Sequence, residues 1–93
     1  MKALIAICLI LAAPAAEAAC FADYKAKQDK PLRLHYGVME VEADPCQKDE
    51  RLTAAVAGRL DRAGWVLLQV LSAFGDEGLD DRKADAGEFY LRY

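Results

Sequence analysis

Fifteen of the first eighteen residues are apolar, the exceptions being Lys2, Pro14 and Glu17, and all three isoleucines of the 93-residue chain lie in this stretch. Lys2 supplies a positive start, Ala3–Ala13 an apolar run of eleven residues, and Pro14 breaks the run before the small residues Ala15–Ala19. This is the layout of a secretory signal peptide. Ala16-Glu17-Ala18 is the Ala-x-Ala cleavage sequence, so cutting is expected between Ala18 and Ala19; one residue later, the charged Glu17 would have to enter a small pocket. Eleven apolar residues fall short of the ~20 that cross a hydrocarbon core as a helix. Residues 1–18 are therefore expected to be a cleaved leader, with the mature chain exported to a periplasm or beyond and not inserted in a membrane. A lipid anchor on Cys20 is the weaker alternative, because Glu17 stands where a bacterial lipobox carries Leu or a similar residue.

Without the leader 75 residues remain, of which 36 are apolar, an ordinary share for a globular domain. The leader takes away one Lys and one Glu, so the net charge stays at −3. These values exclude a multidomain enzyme, a polytopic membrane protein, a disordered chain and a basic nucleic-acid binder. Cys8 leaves with the leader, and Cys20 and Cys46 form an even pair in an oxidising compartment, for which one disulfide is the economical reading. A reactive thiol at Cys46, near a helix start, is the alternative.

Along the chain, Phe21–Pro31 is polar and mixed in charge, and residues 19–31 read as an arm held by Cys20. Leu32–Glu42 alternates as a strand whose apolar parity shifts near Gly37. Asp44-Pro45-Cys46-Gln47 supplies a cap, a first-turn proline and a capping-box glutamine, so a helix is expected to start there. Leu52, Val56, Leu60 and Ala63 form its single apolar stripe, Arg59 borders that stripe, and Gly64 closes the helix. Trp65–Phe74 is a nearly unbroken apolar run, expected as the central or longest strand. Gly75–Gly87 has three glycines and no apolar period and reads as a loop, after which Glu88–Tyr93 alternates again. The expected fold is α+β in the order β-α-β-β: one helix on a three-stranded, mainly antiparallel sheet of half ferredoxin-like form, spanning 32–93. The preferred arrangement places the last strand between the first two.

Tyr36-Gly-Val-Met-Glu-Val41, Leu60-Asp-Arg-Ala-Gly-Trp65, the following Leu67–Val70 and the aromatic Phe89–Tyr93 resemble the small bacterial domain of unknown function 4177 family over residues 32–93. The resemblance implies a compact α+β domain and brings no activity and no catalytic residue.

Chemistry-bearing residues are scarce. The chain has one His, one Ser and one Thr, His35, Ser72 and Thr53, a thin basis for a nucleophilic triad. His35 reads as a solvated residue of a strand face, and no zinc-ligand spacing occurs. The acidic set Asp76, Glu77, Asp80, Asp81, Asp85 and Glu88 lacks the EF-hand pattern, and Arg82 and Lys83 dilute its field, so a solvated loop tip is expected. Trp65 is expected to pack beneath the helix. Neither cofactor, metal nor catalytic residue is expected. One helix covers only one sheet face, so the other invites a partner, most simply a second copy in a homodimer. The functional expectation is a non-enzymatic interaction or accessory protein of the bacterial envelope. The alternatives are a small-ligand module with residues 75–87 as lid, or an exported inhibitor presenting Asp76, Glu77, Asp80, Asp81 and Asp85.

Overall fold

A computed structural model describes residues 19–93; the leader reading falls on residues 1–18 and lies outside the described residues. The chain forms β1 (Cys20–Gln28), β2 (Arg33–Val41), α1 (Glu50–Arg62), β3 (Val66–Phe74) and α2 (Leu79–Ala86), with single 3-10 turns at Asp76–Gly78 and Gly87–Phe89 flanking α2. The strands form one sheet in the order β2-β1-β3, with both pairings antiparallel. The α+β class is as expected from the sequence, and the order of elements is not.

The segment expected as an arm is the middle strand. Cys20, Ala22, Tyr24 and Ala26 alternate onto one face, where each is buried. Alanine and lysine are weak strand formers, but a middle strand gains hydrogen bonds on both edges. β1 pairs with β2 without a break, from Cys20 opposite Val41 to Gln28 opposite Arg33. Its pairing with β3 runs from Phe21 opposite Phe74 to Lys27 opposite Val66, with shifts after Asp23 and after Lys25 that leave Leu71 and Leu68 as extra residues. β3, the most apolar segment, is thus an edge strand no longer than the other two. β2 and β3 flank a strand antiparallel to both, the split arrangement expected, but the N-terminal segment fills the gap and the C-terminal one does not.

α1 begins later than Asp44. Asp49 is its cap, accepting the Leu52 amide on its carboxylate at 2.9 Å. Leu52, Val56 and Leu60 are buried against the sheet, whereas Ala63 is exposed at the C-cap. Gly64 follows at φ +88°, the left-handed step that ends the helix before Trp65. Met39, Val41, Trp65 and Val70 complete this main core with the apolar face of β1.

Residues 75–87 are not a loop. Leu79–Ala86 is helical and lies on the opposite sheet face, where Ala86 packs with Phe21 and Val38, joined by Leu79, Phe74, Tyr36 and Tyr90. The segment expected as a last strand is a strap instead. Tyr90 makes a single parallel bridge to Val38 on the outer edge of β2, and the Leu91 amide donates to the Val38 carbonyl at 2.8 Å. The chain then crosses to the α1 side, where Arg59 donates to the backbone oxygens of Glu40 and Tyr93 at 2.8 and 2.6 Å. Among the described residues no helix is long and apolar enough to cross a membrane.

Candidate interaction face

The sheet face opposite α1 is built in rows set by strand register. Phe21 lies beside Phe74, and Asp23 beside Val38 and Ser72; the next two rows hold Lys25 with Tyr36 and Gln69, then Lys27 with Leu34 and Val66. α2 covers the first two rows. The last two stay open, and there Leu34 is 65 % exposed, Leu68 and Val66 50 % each. Leu32, in the turn after β1, is exposed as well. Lys25, Leu34, Tyr36 and Leu68, whose side chains share this half, help to line a depression of ≈ 310 Å³. The expected open face therefore exists over half its length.

A buried carboxylate marks the border between the halves. Asp23 accepts hydrogen bonds from the hydroxyls of Ser72 and Tyr36 at 2.6 and 2.8 Å and from Arg82 Nε–H at 3.0 Å. Arg82 also donates to the Gly78 carbonyl at 2.7 Å and lies 3.9 Å over the Phe74 ring. Burial alone raises the Asp23 pKa, but the hydrogen bonds from Ser72, Tyr36 and Arg82, with the guanidinium charge, outweigh it and hold the carboxyl below 3.8. Burial, together with the same carboxylate, pushes the Tyr36 phenol up to about 12. Asp23 is thus held by donors from β2, β3 and α2 at once, and its contact with Arg82 ties α2 to the sheet.

His35 lies on the other face and is buried, not solvated. Its Nε2 is 3.0 Å from the Tyr24 hydroxyl, its ring stacks on Phe89 at 3.8 Å, and Trp65 meets it edge-on at 4.2 Å. Nδ1 has no partner among the described residues. Burial, aided by the Arg92 charge and opposed by Glu88, holds the His35 pKa below 6.5. Burial also lifts the Tyr24 phenol to about 12, so this pair is neutral at ordinary pH. Trp65 is buried as expected from its place after Gly64, and its indole N–H donates to the Tyr93 hydroxyl at 3.1 Å.

Cys20 and Cys46 are joined by a disulfide. It ties the turn before α1 to the start of β1, and it points to an oxidising, extracytoplasmic setting. The acidic residues Asp76, Glu77, Asp80, Asp81 and Asp85 are all exposed on and before α2. Among the described residues no group of three or more His, Cys, Asp or Glu is placed to hold a metal ion.

Reading by residue type did not single out Asp23 or Arg82. Cys20, Ala22, Tyr24 and Ala26 are the alternation that marks β1, but nothing in Leu-Asp-Asp-Arg-Lys-Ala-Asp-Ala distinguishes Arg82 from a surface arginine. Comparisons of the chain with protein-family models, with curated proteins and with solved structures found no match.

Proposed function

We propose that this is an exported, non-enzymatic accessory protein of the bacterial envelope that self-associates through the half of its sheet face that α2 leaves open. The observation that carries this reading is the exposure of Leu34 and Leu68 on one half-face, beside Val66 and the ring of Tyr36. Such clustered apolar side chains on a small domain mark an association surface. β3 adds an outer edge unpaired by any described strand, nine residues without a charge. The disulfide supports the exported setting. The polar groups are consistent with a non-catalytic role: Asp23 is engaged by three donors, and His35 is enclosed by aromatic rings with the Tyr24 hydroxyl as its side-chain hydrogen-bond partner among the described residues. The lid and inhibitor alternatives both use residues 75–87 as a loop, and Leu79–Ala86 within that segment is helical.

Sedimentation of the purified, disulfide-bonded protein tests the reading. A reversible dimer at micromolar concentration is expected, weakened by Leu34→Glu and by Leu68→Glu. A strict monomer throughout that range refutes it.

A further inference from the structure

The face opposite α1 is stepped. α2 stands on the rows of Phe21 and Asp23, and the rows of Lys25 and Lys27 lie one helix thickness lower. The two levels also differ in charge. On α2, Arg82 and Ala86 turn toward the sheet, and Leu79 packs with them. Helical spacing then places Asp80, Asp81, Ala84 and Asp85 on the outer side, where all four are exposed. None of these three carboxylates has an ion pair among the described residues, and Lys83 is drawn aside over the Tyr90 ring at 5.5 Å. On the lower level Lys25 is exposed and without an ion pair among the described residues, and Lys27 reaches only Asp29, at 3.2 Å.

We infer that the partner on this face is a second copy, whose acidic α2 seats on the open, lysine-bearing rows while the first copy's α2 seats on the rows of the second. The inference rests on the self-association proposed above and specifies its contacts. A two-fold axis lying in the plane between the two sheets, across the strands at the border of the Asp23 and Lys25 rows, turns each raised half over the other's lowered half. One rotation makes both contacts, as an isologous interface requires. It sets Asp80, Asp81 and Asp85 of each copy against Lys25 of the other, and it covers Leu34 and Leu68 with Ala84 and the aspartate stems. Stacking like halves instead sets Lys25 against Lys25 and helix against helix, which repel. Pairing through the β3 edge leaves both unpaired charge sets in solvent.

Two charge reversals test the geometry, Lys25→Glu alone and Asp81→Lys with Asp85→Lys. All three positions are exposed, and unchanged near-ultraviolet spectra would verify that each variant folds. Each variant alone is expected to dimerise at least ~10-fold more weakly than the parent. Mixed in equal amounts, the two are expected to recover association, since one contact then sets the introduced glutamate against the two introduced lysines and the other is the parental pairing. The dimer should also weaken in molar salt. Parental dimers indifferent to both reversals but lost in Leu34→Glu overturn this geometry and leave self-association standing. Two weakened variants that fail to recover on mixing overturn it as well. A monomeric parent at every concentration removes both the geometry and the proposal beneath it.

Discussion

The Asp23 carboxylate and the Arg82 guanidinium lie 3.0 Å apart beneath α2, 59 residues apart in sequence. This pair attaches a helix that buries little else, since Ala86 is its one fully buried residue. Replacing one member leaves the other charge desolvated, which costs about 3–5 kcal/mol for a fully buried pair. Arg82 is 27 % exposed, so Arg82→Ala is expected at the low end, roughly 3 kcal/mol. The double variant with Asp23→Ala should cost less than the two singles combined. Urea unfolding of all four proteins measures the coupling, and hydrogen exchange should show residues 79–86 released first.

Acid should act on the domain in two stages. The folded pKa of His35 lies below 6.5, so the unfolded chain takes up this proton first. The stability due to neutral His35 is complete above pH 6.5 and is lost as pH falls below it toward the folded value. Asp23, held below 3.8, contributes stability that is complete above that pH and lost as pH falls through its own lower value. Thermal unfolding followed by Trp65 fluorescence is expected to show a falling midpoint from pH 6.5 downward, and His35→Gln should flatten that first decline.

Trp65 joins the end of α1 to the C-terminal strap. Removing its ring opens a cavity beneath Leu60 and Phe89, so Trp65→Ala is expected to cost ~3–5 kcal/mol, enough to unfold a domain of this size. Trp65→Phe keeps most of the packing and loses the hydrogen bond to Tyr93, and should cost roughly 1–2 kcal/mol. Circular dichroism melts of the two variants separate packing from hydrogen bonding.

Gly37 has no room for a side chain. A Cβ there would lie 2.6 Å from Tyr24 Cζ and 3.1 Å from the Phe89 carbonyl oxygen. Gly37→Ala must displace Tyr24 from its place beside His35, at an expected ~1–3 kcal/mol. Chemical denaturation gives the magnitude, and a shift in the Trp65 emission maximum would report the disturbed cluster.

Reducing the Cys20–Cys46 bridge releases a loop of 26-residue separation, worth roughly 3.5 kcal/mol of unfolded-chain entropy in the loop-closure account. A lowered unfolding midpoint in reductant is expected, and the denatured mature protein should show no free thiol until it is reduced.

α1 was legible because a helix resting on a sheet must show its apolar side at 3.6-residue spacing, and Leu52, Val56, Leu60 and the closing Gly64 do so. Its start was misplaced because Asp44 and Asp49 are both capping residues, and only the path of the chain past Cys46 selects Asp49. β1 was hidden by composition: its alternation is carried by Ala22 and Ala26, and the charges of Asp23, Lys25 and Lys27 on the other parity resemble those of a surface arm. His35 shows the converse, because a polar residue in an alternating strand is buried here by Trp65 and Phe89, which arrive from distant parts of the chain.

By itself the sequence determined the α+β class, the cysteine pairing and the buried side of α1, because local periodicity and cysteine count bear directly on each. Tertiary structure decided which segment fills the middle of the sheet, that residues 79–86 form a helix, and which half of the second face stays open. Those outcomes depend on contacts between Asp23 and Arg82, between Phe21 and Phe74 and between Val38 and Tyr90. No run of neighbouring residues encodes such pairings, and each forms only once the strands have brought its members together.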